Sequence, residues 1–573
     1  MRGGRMLEVK NLSIAFKTGT GLRSAVRNMD FTIRPGEILG LVGESGSGKT
    51  ITSLAVMGLL PPNAAVTGGE VLVDGVDILK LSSAELRRLR GSHIAMIFQD
   101  PIASLDPNLH CGDQIVEAIL LHEPIGRGNA RRKARELLEK VLIPDPDPAM
   151  RSYPNELSGG QCQRIMIAMA VACRPHIIIA DEPTTALDVT VQKQVLELLR
   201  ELNADVGAAI LLITHDLGVI YEVADRVVVM YAGDKMEEAT TADLFSRPQS
   251  DYSRALIDSM PSLGGDAERL PVIERDSTGK ARSVRPEPRR RPASSGPIPI
   301  EADRPLLEIR DLCKSYWLKP SPLAMPVEMR AVDRVSLSVA AAIQTLGLVG
   351  ESGCGKSTLS RAVIRLFKPD SGKILFKGKD IAGLSDRDML PFRREIAMVF
   401  QNPYGSLNPR QTVAQLVEAP MVIFANGDAS ERQARVRTLL EAVGLPATAA
   451  QKYPHEFSGG QRQRIAIARA LALNPSLVIC DEAVSALDVS VQAQVLNLLK
   501  DLQAEFDLTY LFISHDLSVV KYVSDTVAVM RKGRIVESGE TSAVFSDPQD
   551  AYTRMLLEAV PTVGSTLGGK EGA

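Results

Sequence analysis

Residues 37–50 read EILGLVGESGSGKT, an apolar run followed by a glycine-rich loop. The same arrangement returns at residues 343–357 as IQTLGLVGESGCGKS. Both loops, Gly43–Thr50 and Gly350–Ser357, fit the pattern GxxxxGK(S/T) and stand between an apolar run and a helical pattern. Backbone N–H groups of such a loop can surround a phosphate, and the start of the next helix favours negative charge. Each half is therefore predicted to contain a strand, a phosphate-binding loop and a helix.

The polar residues of the two loops have predicted roles in holding a nucleoside triphosphate. Lys49 and Lys356 would reach the β and γ phosphates, and Thr50 and Ser357 would be ligands of Mg²⁺. A single match could be a fortuitous glycine loop, but two matches in ordered duplicates argue against that. The remaining loop positions assigned to nucleotide binding are Gly43, Ser45, Gly46, Gly48, Gly350, Ser352, Gly353, Gly355 and Thr358.

The rest of the chain also occurs twice, in the same order. LSGGQCQR at residues 157–164 returns as FSGGQRQR at 457–464, an offset of 300 residues. The same offset relates DEPTTALDV to DEAVSALDV and THDL to SHDL, while FQDPIASLDP matches FQNPYGSLNP. A period this long indicates a duplicated domain and not a solenoid repeat.

Short apolar runs alternate with longer helical patterns in both copies. This alternation predicts a mostly parallel sheet covered by helices, with ligands bound at the carboxyl ends of the strands. Residues 261–304 between the copies are rich in Pro, Arg, Ser and Gly, which indicates a linker whose arginine run is solvated. We expect a first domain over residues 1–260, the linker over 261–304, and a second domain over 305–573 with a flexible C-terminal tail.

Acidic pairs follow one apolar run in each copy, Asp181-Glu182 and Asp481-Glu482. One carboxylate can hold the Mg²⁺ shell while its neighbour orients the attacking water and accepts a proton. A buried strand that ends in surface acids fits this pattern equally well. The LSGGQ and FSGGQ stretches place Ser, two Gly and an amide ahead of a helical pattern, which suits either an anion site at a helix start or a simple helix cap.

With all of these motifs in both halves, the sequence resembles the ABC ATPase superfamily. The resemblance implies an α/β fold of two tandem ABC-type P-loop nucleotide-binding domains, each with a mostly parallel sheet core, an antiparallel β portion and a helical subdomain. It also implies that the two cassettes dock head to tail, bind two ATP molecules with Mg²⁺, and hydrolyse them.

The resemblance assigns further roles residue by residue. Glu182 and Glu482 would be catalytic bases, and His215 and His515 would sense the γ-phosphate. The Mg²⁺ ligands would be Thr50, Gln99, Asp181, Ser357, Gln401 and Asp481. Phe16 and Tyr316 would stack on adenine. The remaining assigned contacts to nucleotide across the docked cassettes are Ser158, Gly159, Gly160, Gln161, Asp188, Ser458, Gly459, Gly460, Gln461 and Asp488.

The paired tails narrow the resemblance. LFSRPQSDYSRALIDSMP at 244–261 and VFSDPQDAYTRMLLEAVP at 544–561 resemble the ATPases of dipeptide, oligopeptide, nickel and glutathione importers. This implies two separate transmembrane permease subunits, an extracytoplasmic solute-binding protein, and peripheral attachment at the cytoplasmic face of the bacterial inner membrane. Whether a peptide, an opine or a metal complex is carried stays open. Because residues 261–304 contain no cysteine, we predict no iron–sulfur cluster there.

Composition limits the other classes of function. The 573 residues carry 66 basic and 69 acidic side chains, so no global positive field argues for nucleic acid. The longest apolar stretches fall short of the ~18 to 20 residues that span a bilayer. The main alternative is a soluble tandem cassette protein acting on ribosomes or nucleic acid, which would need a charged helical linker or zinc-binding cysteines. A degenerate regulatory pair is disfavoured because both halves keep the Lys, Asp, Glu and His residues.

The copies differ at two cysteines. Cys162 stands where the second copy has Arg462, and Cys354 stands where the first copy has Ser47. Head-to-tail docking would bring both cysteines to one composite site. They are either tolerated small residues or thiols acidified at a helix N-terminus. On the second interpretation, alkylation would inhibit ATP hydrolysis.

Overall fold

The computed structural model describes residues 6–19, 21–184, 187–261, 263, 268–275, 281–287, 305–318, 325–340, 343–485 and 487–560. Much of the predicted linker and the tail beyond residue 560 lie outside these ranges. The described residues form two compact units. The first unit contains the residues up to Asp258 together with Ile273–Val284, and the second contains Ser259–Val272 and the residues from Arg285 to Val560.

The first unit, counted with the whole of the two-stranded hairpin at residues 272–284, contains twelve described strands and eleven described helices. The strands are β1 (Leu7–Thr18), β2 (Gly21–Ile33), β3 (Ile38–Val42), β4 (Ala64–Val73), β5 (Val76–Asp77), β6 (Ile94–Ile97), β7 (Ile177–Asp181), β8 (Ala209–Ile213), β9 (Arg226–Tyr231), β10 (Asp234–Thr240), β11 (Val272–Arg275) and β12 (Ala281–Val284). The helices are α1 (Lys49–Val56), α2 (Ser83–Leu89), α3 (Pro101–Ser104), α4 (Cys111–His122), α5 (Arg127–Lys140), α6 (Pro146–Arg151), α7 (Gly159–Val171), α8 (Val189–Val206), α9 (Leu217–Val223), α10 (Thr241–Ser246) and α11 (Asp251–Asp258).

The second unit repeats this order with ten described strands and ten described helices. The strands are β13 (Leu307–Leu318), β14 (Val327–Val339), β15 (Thr345–Val349), β16 (Ser371–Phe376), β17 (Lys379–Asp380), β18 (Ile396–Val399), β19 (Leu477–Asp481), β20 (Thr509–Ile513), β21 (Thr526–Arg531) and β22 (Arg534–Glu540). The helices are α12 (Lys356–Val363), α13 (Asp386–Glu395), α14 (Pro403–Ser406), α15 (Val413–Ile423), α16 (Ala429–Ala442), α17 (Gly459–Ala470), α18 (Val489–Phe506), α19 (Leu517–Val523), α20 (Thr541–Ser546) and α21 (Ala551–Glu558).

Each unit has one mostly parallel sheet and one antiparallel sheet. In the first unit the strand order is β10-β9-β3-β8-β7-β6, and only the β9–β10 pair is antiparallel. The second sheet, β2-β1-β4-β5, is antiparallel throughout. The second unit has the same two orders, β22-β21-β15-β20-β19-β18 and β14-β13-β16-β17. The predicted α/β fold is confirmed, including its antiparallel portion.

The central strands are apolar because both of their faces are buried. Every residue of β3, β7, β8, β15, β19 and β20 is buried. Continuous apolar runs of this kind are typical of parallel sheets covered on both sides, whereas half-exposed strands alternate. The carboxyl ends of β3 and β7 lead directly into the glycine-rich loop and the acidic pair, so the sheet brings these two motifs to one edge.

Helices α4 to α7 form a separate layer in the first unit, with α15 to α17 in the same place in the second. Helix α4 contacts α5, α6 and α7, and α15 contacts α16 and α17. The LSGGQ-type stretches start α7 and α17. The helical subdomain predicted for each half is therefore present and carries this motif at a helix start.

Residues 268–272, which precede the second copy in the sequence, pack on α18 of the second unit. The backbone of Leu270 exchanges two hydrogen bonds with the side chain of Asn497, at 3.2 and 2.7 Å. Arg269 pairs with Asp501 at 2.5 Å, and Leu270 is buried. Part of the predicted linker thus has specific side-chain contacts.

In the part of the chain that the structure describes, no helix combines the length and apolarity needed to cross a bilayer.

Candidate nucleotide-binding site

The glycine-rich loops adopt a backbone that only glycine allows. Gly43 and Gly350 have φ near +150°, and a Cβ atom on either would lie 2.1 Å from a backbone carbonyl oxygen, that of Met230 or Met530. Gly48 and Gly355 are left-handed at the starts of α1 and α12. These constraints force each loop to wrap closely round the end of its strand, with its backbone N–H groups available at a helix start.

Lys49 and Lys356 are buried, and their ammonium groups fold back onto the loops that precede them. Each donates to the backbone carbonyls of the first two loop residues, at 2.7 and 2.9 Å for Lys49 and at 2.6 and 2.9 Å for Lys356. The serines and glycines at the loop tips, Ser45, Gly46, Ser352 and Gly353, are exposed, and Thr358 is half-buried on α12. The loop residues thus form one phosphate-sized turn in each unit.

The hydroxyl that follows each lysine faces the first acid of the acidic pair. Thr50 Oγ1 lies 3.5 Å from Asp181 Oδ1, and Ser357 Oγ donates to Asp481 Oδ1 at 3.1 Å. Burial, reinforced by the charge of Glu182, raises the pKa of Asp181 to about 6. Burial likewise raises the pKa of Asp481. A nearby cation would therefore stabilise the ionised form of each buried aspartate, beside a hydroxyl that can bind the same cation.

This donor set fits magnesium. Mg²⁺ prefers hard oxygen ligands and usually binds through one or two carboxylates together with substrate phosphates. Within the described ranges, no group of three or more His, Cys, Asp or Glu side chains is placed to hold a metal by itself. A hydroxyl and a single carboxylate suit an ion that shares the oxygens of a bound triphosphate.

The second acid of each pair lies between an amide and an imidazole. The Nε2 atom of Gln99 donates to Glu182 at 2.6 Å, and that of Gln401 donates to Glu482 at 2.7 Å. The Nδ1 atom of His215 lies 3.1 Å from Glu182 Oε1, and the equivalent distance from His515 to Glu482 is 3.5 Å. The three side chains predicted as base, switch and loop glutamine are thus brought together in each unit.

The two acids of each pair differ in their surroundings. Burial by itself would raise the pKa of Glu482, but the hydrogen bond and charge of His515 bring that pKa below its usual value. Burial would lower the pKa of His215 and of His515, but the adjacent glutamate raises both pKa values above the ordinary one. Glu482 is therefore favoured in the carboxylate form, which is the form that can accept a proton, whereas burial opposes ionisation of Asp481.

The serines of the LSGGQ and FSGGQ stretches, which we call the signature serines, cap the helices that they precede. Ser158 and Gln161 form a capping box at the start of α7, and Ser458 and Gln461 form the same box at the start of α17. Ser158, Gly159 and Ser458 are exposed, Gly160 and Gly459 are half-buried, and Gly460 is buried. The cap geometry predicted for these motifs is present, while their contact with nucleotide stays a prediction.

Asp188 and Asp488 are also helix caps. Asp188 accepts a hydrogen bond from the Val191 N–H at 2.9 Å, and Asp488 accepts one from the Val491 N–H at 3.1 Å. The aromatic residues Phe16 and Tyr316 lie on β1 and β13 and are at least partly exposed. The roles predicted for these four residues stay predictions.

The hypothesis of acidified thiols at Cys162 and Cys354 is wrong. Both side chains are buried, and burial raises the pKa of each thiol. At Cys354 the ammonium group of Lys356, 3.8 Å away, opposes that rise without cancelling it. Burial therefore disfavours the thiolate at both positions, and the interpretation as small tolerated residues stays a prediction.

Two features of the site did not follow from the motifs. A tyrosine from the tail helix of each unit, Tyr252 on α11 and Tyr552 on α21, reaches the glycine-rich loop with its hydroxyl. The two tails match each other in sequence, with Tyr at the same position, but nothing in the sequence places that residue against the loop.

The second feature is a cavity of about 650 Å³ beside Gln401 in the second unit. We call it the basic groove, because its lining includes the four arginines Arg361, Arg393, Arg394 and Arg469. Arg393 pairs with Asp386 at 3.3 Å. Among the described residues, the other three have no carboxylate within ion-pair distance. The lining also includes the carboxylate of Asp481, the amide of Gln401 and apolar side chains such as Met398 and Phe424.

The fold and the site define a nucleotide-hydrolysing protein with two phosphate-loop cassettes in one chain. The family model described as ABC transporter matches residues 26–185 and 332–485. The model described as the C-terminal region of oligopeptide/dipeptide transporters matches residues 236–284 and 536–572. The chain belongs to the ABC transporter family, as an ATP-hydrolysing subunit with two fused cassettes.

Curated relatives match over nearly the whole chain. The glutathione import ATP-binding protein GsiA of Escherichia coli O157:H7 is 45% identical over 575 residues, which covers 97% of this chain and 90% of the relative. The same protein of Escherichia coli K12 is 45% identical over 579 residues, with the same shares. A solved dimeric structure of MJ0796, a bacterial ABC transporter cassette, is 27% identical with a TM-score of 0.37 and covers 41% of this chain and 98% of that chain. The predicted resemblance to fused importer ATPases is confirmed.

Proposed function

We propose that this chain powers an importer of small peptides or related solutes, with permease subunits supplied by other chains. The observation that carries the proposal is the match of both tails, 236–284 and 536–572, to the C-terminal region of oligopeptide/dipeptide transporters. The 45% identity to glutathione import ATP-binding proteins supports a peptide-like solute. These matches disfavour the alternative of a soluble cassette protein acting on ribosomes or nucleic acid.

In the proposed mechanism, Glu182 and Glu482 orient the attacking water and accept its proton. Their hydrogen bonds from Gln99 and Gln401 fix one carboxylate oxygen and leave the other beside the histidine. A positioned general base of this kind contributes roughly 10²- to 10⁴-fold to a rate. Lys49 and Lys356 would exchange their loop carbonyls for phosphate oxygens when ATP binds.

Magnesium would be held by Thr50 and Asp181 in the first unit and by Ser357 and Asp481 in the second, with Gln99 and Gln401 as further ligands. When bound, it would neutralise charge on the phosphate oxygens. Ionisation of the two buried aspartates would become favourable beside that charge, because burial is the main cause of their raised pKa values.

We further propose that each ATP is closed in by the signature serine of the opposite cassette. The exposure of Ser158 and Ser458 supports this assignment, because both serines lie at the surface at a helix start, where an anion is favoured. Closure on ATP and release after hydrolysis would move the permeases between inward-facing and outward-facing states.

The basic groove supports a contact with a permease. Its occupant should carry carboxylates, because the lining holds four arginines against one carboxylate, Asp481, and should have an apolar face for Met398 and Phe424. The corresponding positions of the first copy are Leu54, Gly91, Ser92 and Met169. The two cassettes would therefore prefer different permease segments, at the cytoplasmic face of the inner membrane.

The test is transport into vesicles that contain this chain, two candidate permeases and a candidate solute-binding protein. Labelled glutathione, a dipeptide and a longer peptide would be offered in turn, with and without ATP. ATP-dependent uptake of at least one supports the proposal. ATP hydrolysis that continues without uptake of any peptide would reject a peptide-like solute.

A further inference from the structure

The tail helix of each unit sends one buried tyrosine to the phosphate-binding loop. Tyr252 is 1% exposed and Tyr552 is 3% exposed. The hydroxyl of Tyr252 accepts a hydrogen bond from the Glu44 N–H at 3.3 Å, and that of Tyr552 accepts one from the Glu351 N–H at 3.1 Å. The contact joins segments about 200 residues apart in the sequence, and it is present in both units.

Glu44 and Glu351 follow the first glycine of each loop. The backbone N–H and the backbone carbonyl of each residue are both hydrogen-bonded. The N–H meets the tyrosine hydroxyl, and the carbonyl accepts from Lys49 or Lys356 at 2.9 Å. When the lysine turns to a phosphate, that carbonyl loses its partner, whereas the bond to the tyrosine can persist. The hydroxyl is thus placed to keep the loop in shape while the lysine changes partners.

The two tyrosines have different neighbours but the same loop contact. The ring of Tyr252 packs on Tyr231 with centroids 4.4 Å apart, whereas the guanidinium of Arg531 lies 4.7 Å above the ring of Tyr552. Tyr231 and Arg531 occupy equivalent positions of the two copies. The ring environment differs between the two units, whereas the hydroxyl contact is the same in both. The contact therefore does not depend on one particular packing of the ring.

We propose that Tyr252 and Tyr552 are positioning residues for ATP, which act by holding the phosphate-binding loop through its second residue. Both lie in the segments that match the C-terminal region of oligopeptide/dipeptide transporters, so that region would contribute directly to the nucleotide site. The inference rests on ATP binding by the cassettes and is independent of which solute is carried.

Replacing either tyrosine by phenylalanine keeps the ring and removes the hydroxyl. The loop N–H then loses its partner in a buried place, so the empty loop should sample other shapes more often. One neutral hydrogen bond is worth roughly a two- to tenfold change in an equilibrium constant. We expect Tyr252→Phe and Tyr552→Phe each to raise the Kd of ATP and the KM at one site by roughly that factor, with a smaller change in kcat.

The matched control is Tyr510→Phe in the second unit. Tyr510 is also buried and donates to the carbonyl of Leu499 at 3.0 Å, in the core of the sheet. Its loss should lower the melting temperature without changing the Kd of ATP. All variants would be made in the full chain and compared by titration with a fluorescent ATP analogue, steady-state kinetics, melting temperature and hydrogen exchange of the loop peptide.

The proposal is supported if the two tail variants weaken ATP binding and speed amide exchange in residues 43–50 or 350–357, while the control does neither. It is overturned if the tail variants bind ATP with the wild-type Kd and KM and differ from wild type only in melting temperature, as the control does. Because wild type must bind ATP for either result, failure of this inference is separate from failure of the transport function.

Discussion

His215 lies with its Nδ1 atom 3.1 Å from Oε1 of Glu182, within hydrogen-bond distance of the carboxylate that we propose as a base. In the second unit the corresponding separation, His515 to Glu482, is 3.5 Å. The pKa of each histidine is raised by the glutamate against the effect of burial. Each histidine therefore orients the glutamate in its unit, and the first pair is the more closely held.

His215→Ala should lower the rate of ATP hydrolysis more than His515→Ala does, because the closer hydrogen bond is lost. A hydrogen bond to a charged group is worth roughly a 10- to 100-fold factor. Steady-state ATPase measurements on the two single variants check this, with the exposed His176→Ala as the control that should retain the wild-type rate. Equal losses in the two variants would contradict the difference between the sites.

Reversing charge in the basic groove should weaken assembly with permeases. Arg393→Glu with Arg394→Glu on α13 would repel a carboxylate-bearing segment, so we expect less co-purification with the permeases and stronger loss at low salt. ATP hydrolysis by the isolated chain should stay at the wild-type rate. The control is Ser92→Glu, at the position in the first unit that corresponds to Arg394. If Ser92→Glu weakens assembly as much as the double arginine variant does, the basic groove is not a specific permease contact.

Cys162 and Cys354 should be alkylated more slowly than Cys313. Their thiols are buried with raised pKa values, whereas Cys313 is half-buried. Brief treatment with iodoacetamide followed by peptide mass spectrometry should show Cys313 modified first, with ATPase activity retained. Early labelling of Cys162 or Cys354, with loss of activity that is absent in the double Cys→Ser variant, would restore the hypothesis of reactive thiols.

Asn497→Ala should release residues 268–272 from the second unit. The side chain of Asn497 makes two of the hydrogen bonds to the Leu270 backbone, and losing them in a buried place costs roughly 1–3 kcal/mol, although the bond from the Leu270 N–H to the Tyr522 hydroxyl remains. Limited trypsin digestion should then cut after Arg269 several times faster. Glu197→Ala, the equivalent position of the first copy, should leave this cleavage rate as it is in wild type. No acceleration in Asn497→Ala would show that other contacts hold the segment.

The parts of the site that depend on local spacing were predictable from the sequence. The loop Gly43–Thr50, the acids Asp181 and Glu182, and the capping serine Ser158 each follow from a short motif next to a strand or helix. The mostly parallel sheet, the antiparallel sheet and the helical layer agree with the resemblance to ABC ATPases. Duplication strengthens each of these predictions, because every motif of the first copy has a counterpart in the second.

Other parts required the folded chain. Glu44 and Tyr252 are 208 residues apart, and no pattern relates them. The basic groove combines arginines from α12, α13 and α17, which are separate in the sequence. The burial of Cys162 and Cys354 was likewise not predictable. The sequence indicates the helix start near each cysteine, but the burial that raises each thiol pKa depends on the packing around it.

The most direct test of the account is ATP hydrolysis by the variant with both Glu182→Gln and Glu482→Gln, assembled with its permeases. We predict that it binds ATP with nearly the wild-type Kd, that hydrolysis falls by about 100-fold or more, and that solute uptake stops. The exposed Glu201→Gln variant should behave as wild type. Hydrolysis within a few-fold of wild type, with uptake retained, would contradict the assignment of these glutamates as the bases that power transport.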